Sequence, residues 1–134
     1  MGIASVLVLA GCGGRAERGG PVAGAVVDVS EKDFGIDAPH TLARGDLVLR
    51  VHNKGPDAHE LIVIKSPDGR LPMRRDGLTV NEEGLEKETV AALEPGEPGG
   101  TREIRFHATP GVYVLICNMM GHYLGGMRSV LKVR

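Results

Sequence analysis

Glycine and proline recur in short clusters along the whole chain, 20 and 8 of them in 134 residues, and this punctuation restricts the fold more than any other feature. Segments so often interrupted suit turns and short strands, not long helices. Between the clusters the apolar residues alternate. Leu47, Leu49 and Val51 fall on one face of a segment whose other face carries Arg50 and His52, and Ile104 and Phe106 repeat the pattern at 102–108. Residues 60–65 and 112–116 are compact apolar runs, and the second reads as a strand buried on both faces. Weak alternation at 25–30 and an apolar repeat at 127–133 bring the expectation to about seven strands. With turn signals between them, these strands predict an all-β chain folded as a Greek-key β-sandwich. Aromatic residues make up only 3% of the chain and tryptophan is absent, so Val, Leu, Ile and Ala must build the core.

One stretch breaks the rhythm. Residues 66–100 are charged and rich in Gly and Pro, with too few apolar positions to bury a core of their own. They read as an excursion from the sandwich. Within it, 81–88 predicts a short helix capped by Asn81, and 87–93 reads alternatively as an edge strand. The acidic side chains Glu82, Glu83, Glu86 and Glu88 read as a solvated face. The formal net charge is −1 and no basic stripe appears, which argues against nucleic acid as a partner. A monomer is expected.

The chemistry is concentrated at Cys117-Asn118-Met119-Met120-Gly121-His122-Tyr123-Leu124-Gly125-Gly126-Met127. A cysteine ends the buried strand, a histidine follows after four residues, and a methionine after four more. A loop of this spacing can turn thiolate, imidazole and thioether toward one point. A second imidazole is available from His59, which follows a turn at 53–57 and begins a strand. Two His, one Cys and a weak axial Met form the ligand set of a blue-copper electron-transfer centre. Thiolate and thioether suit Cu(I), while imidazole serves both oxidation states. The remaining histidines, His40, His52 and His107, lie near strand ends or on polar faces and read as surface residues. Met119 and Met120 read as loop packing. Gly125 and Gly126 read as the freedom the loop needs to bring Met127 inward.

Residues 45–134 resemble the cupredoxin family, through the segment from Asn53 to Glu60 and through Pro110-Gly111-Val112-Tyr113 followed by Cys117, His122 and Met127. The spacings are most similar to the rusticyanin-like, auracyanin-like and sulfocyanin-like members. The resemblance implies a β-sandwich with one mononuclear type 1 copper held by His59, Cys117, His122 and Met127, an electron carrier and not an enzyme. Its expected partner is a redox protein such as a c-type cytochrome or a membrane oxidase. A copper chaperone, buffer or sensor using the same ligands is the alternative. Two positions depart from the family pattern. Glu60 stands where Asn or Ser often braces the cysteine loop, and can still accept a backbone N–H. Met119-Met120 stand where a proline often stiffens it.

The N-terminal segment reads as an address. Residues 3–10 are apolar but too few for a helix across a bilayer, which takes about 20 residues, and they suit the core of a secretory signal. The run ends in Leu9-Ala10-Gly11-Cys12, which resembles a bacterial lipobox, although no Lys or Arg precedes it. The organisation expected is therefore a lipoprotein signal peptide at 1–11, a flexible tether at 12–21 that begins with lipidated Cys12, and a cupredoxin domain at 22–134. That places the domain on the extracytoplasmic face of a bacterial cell membrane.

Overall fold

The structure, a computed structural model, describes residues 24–134. Cys12 and the expected signal and tether lie outside the described residues. Two sheets face one another. One is ordered β2 (Gly35–Asp37), β1 (Ala25–Lys32), β4 (Gly45–Asn53), β7 (Thr101–Ala108). The other is ordered β3 (Thr41–Leu42), β9 (Arg128–Val133), β8 (Gly111–Ile116), β5 (His59–Lys65), β6 (Thr89–Gly96). The chain crosses between sheets from β2 to β3, from β3 to β4, from β4 to β5, from β6 to β7 and from β7 to β8, so the expected sandwich is what forms. It has nine strands among the described residues. The two that sequence patterning missed, β2 and β3, are three and two residues long, too short for an alternation to show. Pairing is mixed, with β1 parallel to β4 and β3 parallel to β9. No described helix is long and apolar enough to cross a membrane.

The pleat explains why 60–65 and 112–116 are apolar on both faces. Leu61, Val63, Tyr113 and Leu115 point inward and join Leu47, Leu49, Val51, Leu131 and Val133 in the core between the sheets. The intervening Ile62, Ile64, Val114 and Ile116 point outward, where a second cluster covers them with Val80 and Leu85 from the excursion. That excursion holds both expected structures in succession, a 3-10 turn at Glu83–Leu85 and then the edge strand β6. The expected cap is displaced: Glu82 and not Asn81 precedes the turn, without a side-chain cap hydrogen bond, although Asn81 Oδ1 accepts the Gly84 N–H at 3.3 Å. The excursion is thus an outer cover for the five-stranded sheet, and the four acidic side chains lie on its exposed side.

Candidate metal centre

The ligand positions follow from the same pleat. His59 continues the inward row of Leu61 and Val63 on β5. Cys117 continues that of Tyr113 and Leu115 on β8, and Met127 precedes the inward row of Leu131 and Val133 on β9. These three strands are neighbours, and their antiparallel order brings the start of β5, the end of β8 and the start of β9 to one end of the sandwich. There the Cys117 N–H donates to the Met127 carbonyl at 3.2 Å. The loop between them contains a four-residue helix, α1 (His122–Gly125), that the sequence did not reveal. His122 opens it, and the Met127 N–H donates back to the His122 carbonyl at 3.0 Å.

Of the four predicted ligands, three present donor atoms within 4.8 Å of one another: His59, Cys117 and His122. His59 Nδ1 lies 3.2 Å from His122 Nδ1, and Cys117 Sγ lies 3.5 Å from the same His122 nitrogen. A tetrahedral metal bonded at about 2.0 Å to nitrogen and about 2.3 Å to sulfur would hold its nitrogens about 3.3 Å apart and nitrogen and sulfur about 3.5 Å apart. The spacing of the side chains therefore suits one ion. Met127 is fully buried in the core cluster that also contains Cys117, tied by backbone to both loop ligands. A buried His2Cys set with a methionine beside it has the softness and the geometry that suit one mononuclear copper.

The surroundings act on two of the donors in opposite senses, favouring the ligating form of His59 and opposing that of Cys117. Burial pushes the His59 imidazole below its ordinary range, against the pull of Asp33, which favours the neutral ring a metal needs. Burial pushes the Cys117 thiol up, while the N–H groups of Met119 and Glu60 favour its thiolate. Cys117 is a free, buried cysteine.

Several supporting residues escaped the sequence reading. Arg102 reaches across from β7, and its Nη2 donates to the His59 carbonyl at 3.0 Å and to Glu31 Oε2 at 3.0 Å. Gly96 leaves room for it, since a Cβ there would lie 2.3 Å from Arg102 Nε. Asn53 closes the turn before His59 by donating to the carbonyls of Asp57 and Gly96. Asn118 donates to the Val80 carbonyl and to Glu82 Oε1 while accepting the Val80 N–H, which fastens the excursion to the ligand loop. Glu60 does what was expected of it, accepting the Asn118 N–H at 2.9 Å. Asp33 Oδ1 lies 3.0 Å from His59 Nε2 but off the direction of a good hydrogen bond, so that nitrogen has no well-aligned partner among the described residues.

The remaining histidines stand apart from the site. His52 lies between Asp28 and Thr101, His107 beside Asp46, and His40 is exposed. The two loop methionines divide, Met119 packing on the core and Met120 standing 70% exposed.

Two facing mixed sheets with a buried His-Cys-His cluster at one end define the cupredoxin fold. No protein-family model and no curated protein matches the sequence. Solved structures do match it. The chain is similar to auracyanin A, a "blue" copper protein from the green thermophilic photosynthetic bacterium Chloroflexus aurantiacus. Identity there is 20% and the TM-score 0.62, over 84% of this chain and 100% of that one. Reduced auracyanin from Roseiflexus castenholzii is 20% identical, with a TM-score of 0.60 over 84% and 99% of the two chains. Rusticyanin from Thiobacillus ferrooxidans is 16% identical, with a TM-score of 0.57 over 84% and 79%.

Proposed function

We propose that the protein is a one-electron carrier with a single type 1 copper, held by His59, Cys117, His122 and Met127. The observation that carries this reading is the convergence of His59, Cys117 and His122 donor atoms in a buried site at one end of a rigid sandwich. Copper supplies the Cu(I)/Cu(II) couple when bound. The chain's own part is to hold mixed soft and borderline donors so that neither oxidation state requires them to move. Strands β5, β8 and β9 do this for His59, Cys117 and Met127. The full burial of His59, Cys117 and Met127 supports reading the protein as a carrier and not an enzyme.

His59 is fully buried while His122 keeps 9% of its surface exposed. Around His122 lie exposed Met120, Leu124 and Phe34, together with the exposed carboxylate of Asp57, whose Oδ2 is 3.7 Å from His122 Nε2. An apolar patch edged by this acidic group suits brief docking of a redox partner such as a c-type cytochrome or a membrane oxidase. Contacts of this kind bury less than about 1,200 Å². The Leu9-Ala10-Gly11-Cys12 motif supports a lipid anchor on Cys12 and an extracytoplasmic site of action. Purified protein loaded with copper should be intensely blue or green and cycle reversibly. A colourless protein that binds Cu(I) and hands it on would turn the reading to copper handling. Cys12→Ala should release the domain from the membrane with its fold unchanged, and retention of that variant would count against lipidation.

A further inference from the structure

The tip of the β1–β2 hairpin carries an unusual residue. Lys32 pairs with Gly35, so Asp33 and Phe34 form a two-residue turn. Phe34 has φ = 65°, the only non-glycine residue with positive φ among those described. That region suits glycine at the second position of such a turn and strains a residue with a Cβ, which comes too close to the following carbonyl oxygen. The ring is also 57% exposed. Neither fold stability nor solubility accounts for a strained, exposed phenylalanine where glycine would fit.

Its neighbours give the account. The Phe34 ring stands edge-on to the His122 ring, with centroids 6.1 Å apart at 75°. The ligand loop closes directly on it. A Cβ at Gly125 would lie 2.2 Å from the Phe34 ring, and one at Gly126 would lie 2.9 Å from the Phe34 carbonyl oxygen. From sequence these two glycines are expected to bring Met127 inward. The structure gives Gly125, and in part Gly126, the task of making room for Phe34. The tip is itself anchored, because the Asp33 N–H donates to the Gly55 carbonyl at 3.2 Å and Asp33 Oδ1 accepts the Asp57 N–H at 3.2 Å.

We propose that Phe34 is a positioning residue for the metal centre: it holds the His122 ring in its ligating orientation and closes the ligand loop over Cys117, at a cost in local backbone strain. This rests on the copper reading for the ligand role of His122, but the closure of the loop over Cys117 does not depend on any metal. Strain kept at a site that the surroundings over-determine is what a positioning role requires. Outer residues that orient metal ligands typically change metal affinity 10–100-fold when replaced.

The test uses the full chain with Phe34→Gly and Phe34→Tyr. In metal-free protein, the rate of iodoacetamide alkylation is followed by mass spectrometry on the Cys117 peptide. In copper-loaded protein, the rate of Cu(I) loss to bicinchoninate is followed. Thermal midpoint and amide exchange in β4 are measured beside them. Phe34→Gly should raise both rates about tenfold, with the thermal midpoint unchanged or higher because the strain is gone, and Phe34→Tyr should restore both rates. Unchanged rates in Phe34→Gly would overturn the proposal. So would faster rates matched by equally faster exchange in β4, since Phe34 would then serve only global stability. A wild-type chain that takes up no copper would defeat the copper reading alone, and the alkylation rates would still decide whether Phe34 closes the loop.

Discussion

The two histidines of the site are held in opposite ways. His59 belongs to β5, a strand with partners on both sides, and is fully buried, with its carbonyl bound by Arg102. His122 belongs to a four-residue helix inside a loop, keeps 9% of its surface exposed, and is steadied by the Phe34 edge. Global packing fixes the first. Local contacts that solvent can reach fix the second. The difference separates stability from exchange. Changes around His59 should act on the whole fold, and changes around His122 on what passes through the surface above it. Cys117 and Met127 lie between the two, joined by one backbone hydrogen bond.

The largest effect should come from the donor both halves share. Cys117→Ser replaces a soft thiolate with a hard, weakly acidic hydroxyl of similar size. The intense copper–thiolate absorption should vanish and Cu(I) affinity should fall by at least about tenfold, while the melting temperature of the metal-free protein moves little. Visible spectra and a competition titration check this. A surviving band would mean that copper sits elsewhere, and the contrast between the two histidines would lose its meaning.

Next comes the buried half. Arg102 is the partner of Glu31, which has no exposed surface and whose carboxyl burial pushes up to about 7 from 4.5 in spite of Arg102. Because the folded state holds this proton more tightly than the unfolded chain, Glu31 contributes most below about pH 4.5, and that contribution is lost as pH rises through about 7. Arg102→Met leaves the carboxylate unpaired, a change that costs about 3–5 kcal/mol for a buried pair. The loss should be greatest at pH 8 and shrink toward pH 5, where Glu31 is protonated. Urea unfolding at the two pH values measures it. A loss that does not vary with pH would mean that Arg102 acts through the His59 carbonyl and not through Glu31.

The same contrast governs what could be read in advance. The donors that converge could be picked out as candidates because Cys117 and His122 fall within one loop with Met127 and the apolar run before them announces a buried strand. His59 was legible from the turn ahead of it. The supports were not. Arg102 meets Glu31 across 71 positions of sequence, and nothing local distinguishes it from Arg105, which is exposed. Phe34 does not look like a turn residue, because its strain has meaning only against Gly125 and His122. Val80 and Leu85 are sparse apolar positions in a charged segment, and their role appears only when Ile62 and Ile116 are seen to need an outer cover.

A smaller effect is expected at Met127, on the boundary between the halves. Met127→Leu keeps volume and apolarity in a fully buried position, so the fold and copper binding should persist. Loss of a weak thioether donor disfavours Cu(II) more than Cu(I) and should raise the potential. A rise of tens of millivolts is a fraction of about 1.4 kcal/mol, which equals about 59 mV for one electron. Cyclic voltammetry of the variant beside the parent is sufficient. An unchanged potential would place the Met127 sulfur away from the metal and assign its burial to packing alone.

The smallest change to the site, and the sharpest test of the exposed half, is a charge placed on its surface. Leu124 is 57% exposed within α1 and precedes Gly125, which lies against the Phe34 ring. Leu124→Lys adds a cation to an apolar patch edged by the carboxylate of Asp57, 3.7 Å from His122 Nε2, and replaces no ligand, so the visible spectrum and the potential should stay nearly constant. Docking must then desolvate an ammonium, or leave the surfaces apart, and either slows transfer. Reduction by a c-type cytochrome should slow several-fold, and the dependence of the rate on ionic strength should differ from that of the parent, because charges separated by more than about 10 Å are screened at 0.1 M salt. A matching Lys at Val26, an exposed residue on β1 in the opposite sheet, supplies the control and should leave the rate alone. If both lysines slow reduction equally, the partner responds to net charge and not to the face above His122. If neither does, electrons do not leave through the His122 half, and the separation between a stabilising half and an exchanging half fails.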